Sequence, residues 1–403
     1  MDRFTRMIPE SNLEHLKHYR FHAGESTRLD AILSRIWWTP VANLLPMWLS
    51  PNVITLMGAL CIFLINYCIF TYVPHLDSAG SPRWLPILVS CMMILYMTFD
   101  GIDGKQARKL GVSSPLGQLM DHGIDAVVTV FYPYMCFIIF PGGFSFPMML
   151  SIAVAPLHVL TTIWRESEFS TFVYTNGLLG VTETNLCTVF FQLLAYYFKC
   201  KIPNMVLYRF SSETMSTFVG KIFPGKVDLL TLVFFVIAVL SYMEGYYSMA
   251  KLCCDSSHRL AYITYVLSAM LHSFPAAFLA YSVPMRSKIV GCLFVSTLGA
   301  IMCVNNIICL LSKSKLRRFH FGLLPYYLLL ARYYGAPLLQ GLGYNMDAFV
   351  LTPRDLHSFL CGVTIYGFMY LLFIFVKTCH EIATYLKIPF LTVPPRLSPK
   401  RSH

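Results

Sequence analysis

A succession of apolar runs, each about as long as the 20 residues an α-helix needs to cross a bilayer core, constrains this chain more than anything else in it. They are centred near Phe63, Met92, Val130, Ala153, Phe190, Val236, Leu267, Leu298, Leu328 and Met369. Those at Met92, Phe190 and Leu328 are short or flanked by polar residues. Nothing alternates like the strands of a barrel, and no internal repeat stands out. Only 13% of the 403 residues are charged, about half the share of an ordinary globular domain, which is too little to cover a water-facing exterior. The expected fold is all-α, a polytopic membrane protein with about ten transmembrane helices.

A net charge of +11 raises the question of nucleic acid. The 31 Lys and Arg are dispersed between the apolar runs, which fits membrane topology better, and no nucleic-acid partner is expected. One set of loops is basic, with Lys105, Arg108 and Lys109, then Lys313, Lys315, Arg317 and Arg318, and a tail with Arg396, Lys400 and Arg401. The alternate loops are poorer in charge, apart from the long stretch with Lys199, Lys201, Arg209, Lys221 and Lys226, where the rule is weak. Ten spans then put both termini in the cytosol.

Leu29, Ile32, Leu33 and Ile36 share a helical face with Arg28, Arg35, Trp37 and Trp38 around it, as in a helix lying on the membrane or an ordinary packed helix. No cleavable signal peptide is visible. Most of the 13 Cys lie in apolar runs without a C-x-x-C pair, as small buried hydrophobes, while Cys253 and Cys254 are possible acylation sites. The chain divides into an N-terminal cytosolic or interfacial segment (1–50), a catalytic membrane core (51–250), further spans with a possible dimer interface (251–390) and a basic cytosolic tail (391–403).

One stretch carries chemistry. Asp100 and Asp103 are three apart and Asp121 and Asp125 four apart, so each pair shares a helical face. Gly111, Ser113, Ser114 and Pro115 read as the turn between, with Ser114-Pro115 as a helix start. Four carboxylates at a membrane edge need compensating positive charge. Hard oxygen ligands without His or Cys favour Mg²⁺, Mn²⁺ or Ca²⁺ over zinc. Four of them suit two ions, a pair that can clamp both oxygens of a phosphoryl displacement. Mg²⁺ or Mn²⁺, two ions, is the expected cofactor. Gly104, Ala107 and Gly117 are small enough for a ligand to approach the backbone, and Arg108 can grip phosphate oxygens. Solvated loop charges or an ion pathway are the plain alternatives.

The spacing D-x2-D-G-x2-A-R-x8-G-x3-D-x3-D has eight fixed positions. At residue frequencies of roughly 6% each, a chance match is about 10⁻¹⁰ per start site. The stretch resembles the class-I CDP-alcohol phosphatidyltransferase family. Pro51-Asn52-Val53-Ile54-Thr55, Ser113-Ser114-Pro115-Leu116-Gly117 and Asp121-His122-Gly123 are similar to its eukaryotic choline/ethanolamine phosphotransferase branch. Val181-Thr182-Glu183 is similar to a segment of the choline-using members.

The resemblance implies that diacylglycerol attacks CDP-choline or CDP-ethanolamine, giving phosphatidylcholine or phosphatidylethanolamine and CMP. It implies an endoplasmic reticulum or related endomembrane location, a site facing the cytosol, a homodimer, and nucleotide or phosphate contacts at Asn52, Thr55, Gly104, Ala107, Arg108 and Gly117. Another acceptor, such as inositol, or a cation-coupled transporter are the rival readings.

The catalytic candidates are His122, Asp125 and Glu183. Asp125 is the base by position, but a metal-bound carboxylate has little proton affinity. His122 titrates near neutrality, and Glu183 could orient its ring. A plain hydrogen bond from His122 to Asp121 is the alternative. Trp164, Glu166 and Tyr174 are head-group candidates, since a quaternary ammonium is recognised by aromatic faces and negative charge. His158, His272 and Glu244, in or near spans, read first as hydrogen-bonded core residues, and Asn305 and Asn306 as interhelical hydrogen-bonders.

Overall fold

The computed structural model describes residues 6–18, 26–76, 80–138, 146–170, 172, 180–198, 206–209, 226–228 and 256–393. Among them the protein is an all-helical bundle with one short antiparallel ribbon, β1 (Val206–Arg209) and β2 (Lys226–Asp228). The amphipathic stretch forms α2 (Arg28–Leu33), a π-turn (Ser34–Trp38) and α3 (Thr39–Leu44), preceded by α1 (Glu10–His18). The bundle helices are α4 (Pro51–Tyr72), α5 (Leu85–Leu110), α6 (Pro115–Phe131), α7 (Phe146–Phe169), α8 (Val181–Tyr197), α9 (Ser256–Ser282), α10 (Lys288–Leu311), α11 (Leu324–Gly341) and α12 (Pro353–Leu386). Nine of the expected span centres fall on helices α4 to α12. The tenth, Val236, lies outside the described residues, as do Glu244, Cys253, Cys254 and the basic tail. Helices α4, α5, α7, α9, α10 and α12 are long and apolar enough to cross a membrane, whereas α6, α8 and α11 are shorter.

Local chemistry sets the ends that matter. α5 stops at Gly111, whose φ of +69° is a left-handed conformation that glycine adopts without strain. α6 starts as its sequence suggests, with Pro115 in the first turn and the Ser114 hydroxyl accepting from the Gly117 N–H at 3.2 Å. Exposed Ile32, Ile36, Trp37 and Trp48 give the α2–α3 region a water-shy outer face, as an interfacial segment has. Its inner side is pinned to α5. Trp38 lies so close to Gly101 that a Cβ there would overlap the indole, and the Lys109 ammonium donates to the carbonyls of Ala42, Asn43 and Leu45.

α10 is the central post. In its most apolar stretch 89% of the residues are buried inside the protein, against 28–50% for the other spans. It packs on α6 and α7 of the 51–250 segment and on α9 and α12 of the 251–390 segment. Tyr134 bonds Ser296 at 2.5 Å, and Gly299 lets Pro156 of α7 approach closely. α12 closes over α6, with Phe375 filling the space that a side chain at Gly123 would need. α1 is held to the end of α12: the Met7 N–H donates to the Glu381 carboxylate at 2.9 Å and the Tyr385 hydroxyl to Glu14 at 2.8 Å. Lys17 and Tyr385 hold the Glu14 carboxyl below its ordinary range. Asn12 reaches the Ser312 carbonyl just past α10. The start of the chain, the ends of α10 and α12 and the start of α6 therefore share one end of the bundle.

Candidate active site

α4 packs against both α5 and α6, and carboxylates fill the space between those two helices. Asp100 on α5 and Asp121 and Asp125 on α6 each bring an oxygen within 4.8 Å of the others. The three- and four-residue spacings turn each pair inward, and the Gly111–Ser114 turn sets the pairs opposite one another. Asp103 stands apart from the expected set of four. Its Oδ2 accepts from the Thr55 hydroxyl at 2.6 Å and its Oδ1 from the Gly104 N–H, so three carboxylates converge and a fourth is held by α4.

Among the described residues no Lys or Arg pairs with these acids. Lys105 donates to the Ser34 hydroxyl at 2.7 Å and Lys109 to the carbonyls of the α3 segment. Three mutually close carboxylates with no cationic partner are a strongly unfavourable arrangement by themselves. An all-oxygen donor set fits a hard divalent cation, so Asp100, Asp121 and Asp125, with Asp103 beside them, suit a metal centre.

The expected phosphate contacts gather around this cluster. Thr55 bonds Asp103, and Asn52, one turn earlier on α4, sits 3.7 Å from where a Cβ on Gly117 would lie. Gly104 leaves space for the Arg108 guanidinium, whose Nη1 would be 3.4 Å from a Cβ at that position. Ala107 lies between them, half-buried. The Asn52 amide donates to the Phe390 carbonyl at 2.7 Å, so the segment after α12 is tied to the site.

His122 has different neighbours from those expected. Its Nε2 lies 2.6 Å from the side-chain amide nitrogen of Gln118, and its ring stacks on Phe172 at 4.4 Å. Glu183 instead accepts from the Gly180 N–H at 2.9 Å, capping the first turn of its own helix. α8 packs on α5, and it meets the 3-10 turn that follows α6 (Tyr132–Ile138), where Tyr132 donates to the Thr184 carbonyl and Gln192 to the Met135 carbonyl. Trp164 is enclosed by Tyr262 at 4.9 Å and Phe169 at 6.2 Å, with buried Glu166 on the same helix. The aromatic ring brought to His122 is Phe172, not Trp164, and Tyr174 lies outside the described residues.

Two site residues escape the motif although helix arithmetic reaches them. Tyr96, one turn before Asp100, donates its hydroxyl to Asp125 Oδ1 at 2.8 Å. Gln118 precedes His122 by one turn. Phe172 comes from the connection after α7, and no local spacing announces it.

The family model for CDP-alcohol phosphatidyltransferase matches residues 48–271, more than half of the chain and all of the aspartate motif. The chain belongs to this CDP-alcohol phosphatidyltransferase family. A Saccharomyces cerevisiae protein named choline/ethanolaminephosphotransferase 1 is 31% identical over 44% of this chain and 44% of its own length. An Arabidopsis thaliana protein of the same name is 39% identical over 29% of this chain and 30% of its own. Cholinephosphotransferase 1 of Bos taurus is 35% identical over 32% and 31%. The matched segment thus covers less than half the length of each relative.

Proposed function

We propose that the chain moves phosphocholine or phosphoethanolamine from CDP-choline or CDP-ethanolamine to diacylglycerol, the last step in making phosphatidylcholine or phosphatidylethanolamine. The carrying observation is the convergence of Asp100, Asp121 and Asp125 inside the family's motif, and the names of the matched relatives support the donor and acceptor. Two Mg²⁺ or Mn²⁺ ions held by the four aspartates would neutralise the diphosphate. Asn52, Thr55, Gly104, Ala107, Arg108 and Gly117 line the nucleotide's approach, and Arg108 supplies bidentate donors to phosphate oxygens.

The diacylglycerol oxygen forms a bond to the β-phosphorus, and the bond from that phosphorus to the bridging oxygen breaks. CMP leaves with the bridging oxygen and its electron pair. The hydroxyl proton goes to His122, whose imidazole is not one of the metal-holding acids and is set by Gln118 and Phe172. Glu183, expected to orient that ring, has its carboxylate engaged in capping α8, so Gln118 takes the orienting role here. Phe172 offers an aromatic face to a quaternary ammonium. Phe172→Ala is expected to weaken CDP-choline use more than CDP-ethanolamine use; equal losses would remove Phe172 from the head-group pocket.

The location proposed is an endomembrane such as the endoplasmic reticulum, with the aspartate end facing the cytosol and the protein a homodimer. A glycosylation acceptor inserted at Ser81, at the opposite end of α5, is expected to be modified, and modification of one placed after Lys109 would reverse the orientation. The function is tested by giving purified protein each donor in turn. CDP-choline or CDP-ethanolamine with diacylglycerol should release CMP. Release only from CDP-diacylglycerol with inositol would shift the acceptor class, and cation-driven uptake without CMP would make the protein a transporter.

A further inference from the structure

The chain between α10 and α11 does not leave the bundle. After Leu311 it turns back, and the Arg317 N–H donates to Asn306 Oδ1 at 2.8 Å while the Asn306 amide donates to the Arg317 carbonyl at 3.3 Å. At 1.5 Å per residue this is about 7 Å back down α10. The Ser268 hydroxyl of α9 donates to the Arg318 carbonyl at 2.9 Å, and farther down Tyr326 bonds Thr297 of α10 at 2.6 Å. Non-helical backbone packed against helices needs its polar groups satisfied by protein, as Asn306 and Ser268 do here.

This re-entrant turn carries two exposed guanidinium groups, Arg317 and Arg318, at the bundle end that holds the aspartate cluster. Among the described residues neither pairs with a carboxylate. They flank a narrow groove between α7, α9 and α10, and Tyr265 lines its floor. Tyr265 is 4% exposed and its hydroxyl has no hydrogen-bond partner. Below the turn, exposed Leu267 and Leu271 of α9 and Phe319 and Phe321 form an apolar track running along the bundle.

We propose that Arg317 and Arg318 hold the phosphate of an anionic glycerophospholipid whose acyl chains lie along Leu267, Leu271 and Phe319. Arginine pairs match phosphate oxygens bidentately. Among the described residues no Asp or Glu lines the groove, so the ammonium of a zwitterionic head group would find no counter-charge among them, and a net-negative lipid is favoured. The groove leaves no room for water between its walls, so the two guanidinium groups would hold the phosphate across its mouth, with Tyr265 enclosed beneath them. This site is separate from the aspartate cluster and does not depend on the reaction proposed above.

The test is native mass spectrometry of the full chain in detergent, titrated with phosphatidylglycerol or phosphatidylcholine. The unaltered protein is expected to retain one phosphatidylglycerol at least about tenfold more tightly than phosphatidylcholine, and the double variant Arg317→Gln, Arg318→Gln to lose about tenfold or more, as for loss of charge-assisted hydrogen bonds. The double Lys variant, which keeps charge but not the fork, should fall between, and Tyr265→Phe, altered beneath the groove, should bind like the unaltered protein. Asp125→Asn should bind phosphatidylglycerol like the unaltered protein, which separates this site from the catalytic one. Equal retention of both lipids, wild-type affinity in the double Gln variant, or displacement by millimolar inorganic phosphate would each overturn the proposal, the last pointing to a free-anion site.

Discussion

Replacing Asp100, Asp121 or Asp125 singly by Asn is expected to lower turnover by about 10³-fold or more, with the protein still folded. Each substitution removes one negative charge and leaves a neutral amide of nearly the same shape, so packing changes little. What changes is the cluster's capacity for divalent cations, whose charge stabilisation at a phosphoryl group is worth several kcal/mol. Asp103→Asn should cost less than these three, because Asp103 is already engaged by Thr55 and the Gly104 N–H. Chelation should abolish activity and added Mg²⁺ or Mn²⁺ restore it. Equal activity in excess chelator, or equal losses at all four positions, would contradict this division of the cluster.

The second large effect is at His122. His122→Ala is expected to lose about 10²–10⁴-fold in turnover, the range for removal of a general base, with nucleotide and metal binding retained. Gln118→Ala removes one hydrogen bond to the ring, worth about 0.5–1.5 kcal/mol, so it should lose about tenfold or less. Glu183→Gln is expected to lose less than His122→Ala, because its carboxylate is committed to the Gly180 N–H. Binding and single-turnover measurements separate the cases. Loss of nucleotide binding in His122→Ala, or near-normal turnover, would return the role to Asp125 or to a water molecule.

The parts of this site that follow helix geometry are legible in the amino-acid sequence itself. Two Asp pairs at three- and four-residue spacing, a glycine stop at Gly111 and a Ser114-Pro115 start together place the carboxylates between two consecutive helices, as found. Asp103 departs from that pattern because its partner, Thr55, comes from another helix. The ring beside His122 is hidden for the same reason, since Phe172 arrives from a connection whose course no local pattern fixes.

Hydropathy also hides the role of α10. Lipid tails and protein interior are equally apolar, so a run that faces lipid and one enclosed by helices read alike. α4 and α10 have hydropathies of 2.3 and 2.0, yet they are 44% and 89% buried. The polar pair Asn305-Asn306 is the hint. Asn306 is buried and holds the re-entrant backbone at Arg317. The basic stretch Lys313–Arg318 reads in sequence as an ordinary loop for the positive-inside rule, and the structure folds its second half back against α9 and α10.

The most direct measurement follows the β-phosphorus. Purified protein in lipid nanodiscs is given CDP-choline or CDP-ethanolamine labelled with ³²P at the β-position, together with diacylglycerol and Mg²⁺ or Mn²⁺. The account predicts that the label moves into an organic-extractable phospholipid in a one-to-one ratio with CMP, and that Asp125→Asn stops the transfer. Label remaining in water-soluble phosphocholine or phosphoethanolamine while CMP is released would show hydrolysis in place of transfer to lipid, and would contradict it.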